Sequence, residues 1–207
     1  MVTNVYVDAF NLYYGSLRGT PYRWLDLAAL SARLLPKDRI NRIRYFTATV
    51  SARLDNPDAP QRQHVYLRAL ETIPGLSIHY GHYLSHVTRM PLANPRPGRA
   101  RTVEVVKTEE KGSDVNLATY LMLDAFKREC DVAVVISNDS DLKLPIEVAQ
   151  SEFGISVGVV NPHPPARRSR ALQPTFFKQI RPSALGACQF PPVLTDARGE
   201  IRKPGRW

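Results

Sequence analysis

Three aspartates, far apart along the chain, stand where strands and helices should deliver side chains into one pocket. Asp8 follows the apolar run Val5-Tyr6-Val7. Asp139 follows Val132 to Ile136 and has Asp141 two residues on. Asp114 opens an amphipathic stretch within Lys-Gly-Ser-Asp-Val-Asn-Leu-Ala (111–118). In an open α/β sheet, chemistry gathers at the carboxyl ends of the strands, near the point where strand order reverses. Several carboxylates with no obvious lysine or histidine partner favour a hard divalent cation, Mg²⁺ or Mn²⁺. Clustered carboxylates repel one another unless a cation sits among them. Such a cation activates water and neutralises phosphoryl oxygens, which is what phosphodiester cleavage requires. The three carboxyls are therefore expected to converge, with oxygens about 4–8 Å apart.

The elements that must position them follow from periodicity. Residues 4–8 read as a buried first strand. Trp24 to Leu35 has apolar residues at helical spacing and stops at Pro36. Ile40 to Val50 alternates and reads as a strand. Gln61 to Ile73 reads as a helix ended by Pro74-Gly75, and Leu76 to Leu84 as the third strand. Residues 85–101, with Pro91, Pro95, Pro97 and Gly98, read as a loop. Thr102 to Lys107 is expected to pair back on the third strand as a hairpin. A helix over 112–128, a strand over 132–136, a helix from Asp141 to before Gly154 and a strand over 155–160 complete the pattern. Strands alternating with helices predict an α/β fold with a doubly wound parallel sheet and a β-hairpin insert.

Composition sets the frame. The chain has 207 residues, 43% of them hydrophobic, and a net charge of +9. That charge is uneven: residues 162–207 carry +7 and residues 1–161 only +2. The expected division is a catalytic domain over 1–161 and a basic, proline-rich extension over 162–207, packed on or trailing from the core. A short helix is expected near Gln173–Ile180, with Phe176, Phe177, Phe190 and Trp207 as anchors. A near-neutral core with a basic extension suits a polyanion. The extension reads equally well as a solubilising appendage. No apolar run is long enough for a membrane span, and the N-terminus reads as a strand rather than a signal peptide. Cys130 and Cys188 form no paired metal motif and read as reduced thiols of a cytoplasmic protein.

The blocks Val-Asp-Ala-Phe-Asn-Leu (7–12), Lys-Gly-Ser-Asp-Val-Asn-Leu-Ala (111–118) and Ser-Asn-Asp-Ser-Asp-Leu (137–142) together resemble the NYN-domain branch of the PIN-like ribonucleases. With the intervening units they span residues 3–161. The resemblance implies a metal-dependent ribonuclease acting on mostly single-stranded RNA. Asp8, Asp114 and Asp139 would be its metal ligands, with Asp141 ligating directly or through water. Asn11 would hold a phosphate oxygen or orient Asp8, and Ser137 and Asn138 would shape the turn beside the substrate. Many NYN sequences carry an acid six residues after the helix aspartate. Here that position is Tyr120, and the next acid, Asp124, is expected at the surface or behind the metal ligands. Substrate affinity is assigned to Arg89, Arg96, Arg99 and Arg101 in the 85–101 segment and its edge, and to Arg167, Arg168 and Arg170 in the extension. A homodimer is compatible with the sequence. No organic cofactor is expected.

Each residue also has a plainer reading. Asp8 could end a strand in a turn, and Asp114, Asp139 or Asp141 could cap a helix. The histidines at 79, 82 and 86 would point to opposite faces of a strand and make a poor metal trio. Three other functions remain open. One is an RNA-binding module with a degenerate site. Another is a haloacid-dehalogenase-type phosphatase, disfavoured because Phe10 stands where its second aspartate belongs. The third is an oxidoreductase, disfavoured because no G-x-G-x-x-G follows the first strand.

Overall fold

Alternation along the strands decides the layers. In β1 (Val2–Asp8), Val5 and Val7 pack into one core and Tyr6 into the other. After β1 the chain enters a short helix α1 (Ala9–Leu12) that continues as a π-turn over Tyr13–Leu17. Then come α2 (Leu27–Leu34), β2 (Arg39–Thr47), α3 (Ala59–Leu70) and β3 (Leu76–Tyr80). A ribbon of β4 (His82–Pro91) and β5 (Thr102–Lys111) precedes α4 (Ser113–Phe126) and β6 (Val132–Ile136). A 3-10 turn (Ser140–Leu142) leads into α5 (Lys143–Ser151), followed by β7 (Ser156–Asn161), β8 (Phe176–Gln179) and α6 (Pro182–Ala187). The hairpin β9 (Val193–Asp196) and β10 (Gly199–Arg202) ends the fold. The computed structural model describes residues 1–52, 56–96, 98, 100–205 and 207.

The central sheet has six strands in the order β3-β2-β1-β6-β7-β8, all parallel. Helices α2, α3 and α6 cover one face, and α4 and α5 the other. Both faces are dry, as parallel sheets require. This is the expected doubly wound arrangement, and strand order reverses between β1 and β6.

Several details differ from the sequence reading. The third strand stops at Tyr80, and the chain leaves the sheet at Gly81. Ser85 to Pro91 is not loop but the body of β4, which pairs antiparallel with β5 from His82↔Lys111 to Pro91↔Thr102. The hairpin therefore pairs with itself and not with β3. Pro91 closes β4 and Pro95 lies beyond it, so these prolines mark the tip rather than the whole segment, while Pro97 lies outside the described residues. The helix expected over 173–180 is the strand β8. Alternating packing of Phe176 and Phe177 onto opposite faces wins over helical spacing. Gly158 makes room for it: a Cβ there would lie 2.1 Å from Phe176 Cζ.

Residues beyond β8 pack onto the α2–α3 face. The Trp24 indole donates to the Pro191 carbonyl at 2.8 Å, and Phe190 is buried against Trp24. Trp207 packs on Tyr66 and Trp24. Arg68 Nε of α3 donates to Asp196 Oδ2 at 2.8 Å, clamping the terminal hairpin. Both cysteines are buried free thiols. Among the described residues, no helix is long and apolar enough to cross a membrane.

Candidate active site

The pairing of β1 with β6 builds the site. Val7 lies beside Ile136, so the next step along the two parallel strands brings Asp8 beside Ser137. Asp8 has the parity of Tyr6, which faces α4 and α5. Asp114 sits in the first turn of α4, over that same face. Asp8, Asp114 and Asp139 thus line one cavity of about 330 Å³, together with Asn11, Glu110 and His163.

Hydrogen bonds fix the floor of this cavity. The Ser137 hydroxyl donates to Asp8 Oδ2 at 2.8 Å, and Asn11 N donates to Asp8 Oδ1 at 2.9 Å. Asp8 therefore caps α1 as well as facing the cavity. Asn11 Oδ1 accepts from Asn138 N at 2.9 Å, and Asp139 N donates to Ser137 Oγ at 3.1 Å. Asp139 Oδ1 accepts from Asp141 N at 2.9 Å, so Asp139 caps the 3-10 turn. Asp141 is exposed and outside the cavity lining. Asp114 is no cap: Gly112 holds that position, and the Asp114 carboxylate accepts no hydrogen bond among the described residues.

The electrostatics match a crowded acidic pocket. Burial pushes the Asp8 carboxyl up to about 7, with Asp114 and Asp139 adding to the rise and the Asn11 and Ser137 hydrogen bonds opposing it. Asp114 is pushed up to about 6, first by burial and then by Asp139, Glu110 and Asp141. Each carboxylate resists ionising beside the others.

Oxygen-only donors of this charge fit Mg²⁺ or Mn²⁺ in type. They do not form a ready-made cage. Among the described residues, no three His, Cys, Asp or Glu side chains are gathered as an ion-holding group. Three of the four cavity carboxylates are engaged by neighbouring groups. Asp8 is turned toward Ser137 and Asn11, Asp139 toward the Asp141 amide, and Glu110 toward Ser113 Oγ at 2.7 Å.

A carboxylate and an imidazole of the cavity were absent from the sequence reading, as was Tyr83. Glu110 is the penultimate residue of β5, two residues before the α4 cap, and only the extra length of β5 brings it in. His163 follows β7, where Asn161 Oδ1 accepts from its backbone N–H at 2.9 Å. Burial, and then the Arg167 charge, lowers the His163 imidazole.

The basic residues divide into two groups. Arg167, Arg168 and Arg170 are exposed on a segment tied to the site through Asn138. Asn138 Nδ2 donates to the Arg167 carbonyl, and Asn138 Oδ1 accepts from Ser169 N, both at 2.8 Å. The Arg168 guanidinium lies over the Phe177 ring at 3.5 Å. Arg89, in contrast, sits on β4, paired with Glu104 at 3.7 Å. It lies about 20 Å along the ribbon from Tyr83 at the cavity. Arg96 and Arg101 are exposed near the tip, and Arg99 lies outside the described residues. Arg89, Arg96 and Arg101 do not line the cavity.

Asp124 is neither a surface residue nor a partner of the cavity acids. It is 1% exposed and takes both Arg44 nitrogens, Nη2 at 2.7 Å and Nε at 2.9 Å, plus the Tyr6 hydroxyl at 2.8 Å. Tyr120 packs beside His79 and under the Arg44 guanidinium, 4.4 Å from its ring centre.

The NYN domain matches residues 2–178. The chain belongs to the NYN-domain family. This NYN protein is similar to 6-hydroxy-3-succinoylpyridine 3-monooxygenase HspA of Pseudomonas putida, with 31% identity over 235 aligned positions, covering 99% of this chain and 75% of that protein. It also resembles the crystal structure of a protein of unknown function from Vibrio parahaemolyticus, at 20% identity and a TM-score of 0.54. That likeness covers 87% of this chain and 93% of the other, and shows a shared fold. Membership and fold together make the NYN chain nuclease-like in architecture.

Proposed function

We propose that this NYN protein is a metal-dependent endoribonuclease acting on single-stranded RNA. The observation that carries the reading is that Asp8, Glu110, Asp114 and Asp139 all line one cavity at the strand-order reversal. Asp8, Asp114 and Asp139 would hold a Mg²⁺ or Mn²⁺ ion. A divalent cation there supplies a water of lowered pKa and charge for the phosphoryl oxygens.

The chain's own groups do the positioning. Ser137 and the Asn11 amide orient the Asp8 carboxylate and favour its ionised form. The Asn11 carbonyl oxygen is engaged by Asn138, which leaves Asn11 Nδ2 to donate to a phosphoryl oxygen. Arg167, Arg168 and Arg170 stand where RNA phosphates would approach, held there through Asn138. The test is a labelled single-stranded RNA incubated with the purified chain in Mn²⁺ and in EDTA. Internal cuts that require the metal are expected. Intact RNA in both would overturn the reading.

One observation favours a second reading, a monooxygenase on a heteroaromatic ring. The Pseudomonas relative bears that name and aligns with nearly this whole chain. The same preparation can be offered 6-hydroxy-3-succinoylpyridine with O₂ and a two-electron reductant. Hydroxylated product, with RNA left intact, selects this reading over the first.

A further inference from the structure

A second cavity, of about 490 Å³, adjoins the acidic one. Phe10, Tyr14 and Tyr83 line both. Tyr45, Tyr66 and Trp207 line the second cavity alone. Its volume falls within the usual range of small-molecule sites, about 300–1,000 Å³. Aromatic walls of this density suit a planar ring, which gains by stacking whatever its edge carries.

Among the described residues, two polar groups in the wall have no hydrogen-bonding or carboxylate partner. Tyr45 is buried, and among the described residues its hydroxyl has no hydrogen-bond partner. The hydroxyl is not among the fully buried unpartnered polar atoms, so it opens to the cavity, where a ring nitrogen or carbonyl of a ligand would accept from it. Arg18 is exposed at the wall, its guanidinium 5.5 Å from the Tyr14 ring centre. Among the described residues no carboxylate pairs with Arg18. The Tyr66 hydroxyl, in contrast, is engaged with the Leu25 carbonyl at 2.8 Å.

We infer that the second cavity is a nucleobase subsite. It receives the base next to the cut phosphodiester, with Tyr14 stacking on the ring, Tyr45 donating to its edge and Arg18, beside Tyr14, meeting the nucleotide's own 5′-phosphate. This rests on the ribonuclease reading and adds to it a site for base recognition. The three shared aromatics set the geometry: a base in the second cavity places its own phosphate beside Phe10, Tyr14 and Tyr83, at the border of the acidic cavity.

Tryptophan fluorescence reads this directly. Trp207 lines the cavity, and the other tryptophan, Trp24, is fully buried. The full chain is titrated in EDTA with uridine 5′-monophosphate, adenosine 5′-monophosphate, uridine, ribose 5-phosphate and pyridine-3-carboxylate. Saturable quenching by at least one mononucleotide is expected, and none by ribose 5-phosphate. Tyr14→Ala should weaken that binding roughly tenfold, the loss of one stacking contact. Arg18→Ala should abolish the advantage of uridine 5′-monophosphate over uridine. Both side chains are exposed, so both variants should fold. No saturable binding of either mononucleotide overturns the subsite. So does parent-like binding in both variants, or binding of pyridine-3-carboxylate with nucleotides excluded. RNA cleavage is measured on the same preparations. Cleavage without nucleotide binding overturns the subsite and keeps the nuclease. Nucleotide binding without cleavage keeps the ring site and overturns the nuclease.

Discussion

Ser137 donates its hydroxyl to Asp8 Oδ2 at 2.8 Å, joining the ends of β1 and β6 where the sheet reverses order. The bond steadies the most buried carboxylate of the site and opposes the rise that burial imposes on it. Ser137→Ala removes that opposition. The acid limb of the pH–rate profile for RNA cleavage should then move up by about one pH unit, the size of one hydrogen bond to a charged group. A limb that stays in place would mean that Asp8 ionisation does not control turnover.

Asp8 also makes stability depend on pH. Its carboxyl is at about 7 in the folded chain, against 3.8 for the unperturbed group. Between these values the folded chain keeps a proton that the unfolded chain has lost, so metal-free stability falls as pH rises through that window. Asp8→Asn removes the dependence. Its stability relative to the parent should improve by on the order of 3 kcal/mol from about pH 4 to about pH 8. Urea unfolding in EDTA at the two pH values checks this, and parallel curves would contradict it.

The Arg44–Asp124 pair is a structural device separate from the chemistry. Asp124→Ala leaves the Arg44 guanidinium buried without its carboxylate, which costs about 3–5 kcal/mol. Urea unfolding should show that loss. Tyr120→Asp would set a new carboxylate beside Arg44 and not in the acidic cavity. Its Mn²⁺ requirement should match the parent's, and a tighter requirement would place residue 120 closer to the site than its packing allows.

The exposed arginines after β7 should carry salt-dependent affinity. Each phosphate neutralised on a single strand contributes about −0.7 to the slope of log K against log salt. Replacing Arg167, Arg168 and Arg170 by alanine should weaken RNA binding at low salt and flatten the slope by up to about 2. Saturating turnover should change little. Identical slopes would reduce the segment to a connector and leave the ribbon arginines as the binding surface.

The sequence made the three aspartates legible for a physical reason. Strand parity and helix starts fix direction locally, and Asp8, Asp114 and Asp139 each sit at such a point. What was hidden depends on long-range register. Glu110 enters the cavity only because β5 continues to Lys111 opposite His82. Asn138 reaches Arg167 and Ser169 across 29 and 31 residues, which no local pattern encodes. Arg44 did carry a signal: a charge between Ile43 and Tyr45 on a buried strand needs a partner. The length of the ribbon is not legible locally, because prolines such as Pro91 and Pro95 mark a tip as readily as a long loop.

The central claim is that the acidic cavity holds a catalytic metal. The most direct measurement is anomalous scattering from a crystal of the chain soaked in Mn²⁺. A manganese peak bounded by Asp8, Asp114 and Asp139 is expected, with those carboxylates drawn inward to about 2.0–2.2 Å from the ion. An empty cavity at saturating Mn²⁺, or a peak only elsewhere on the surface, would contradict it.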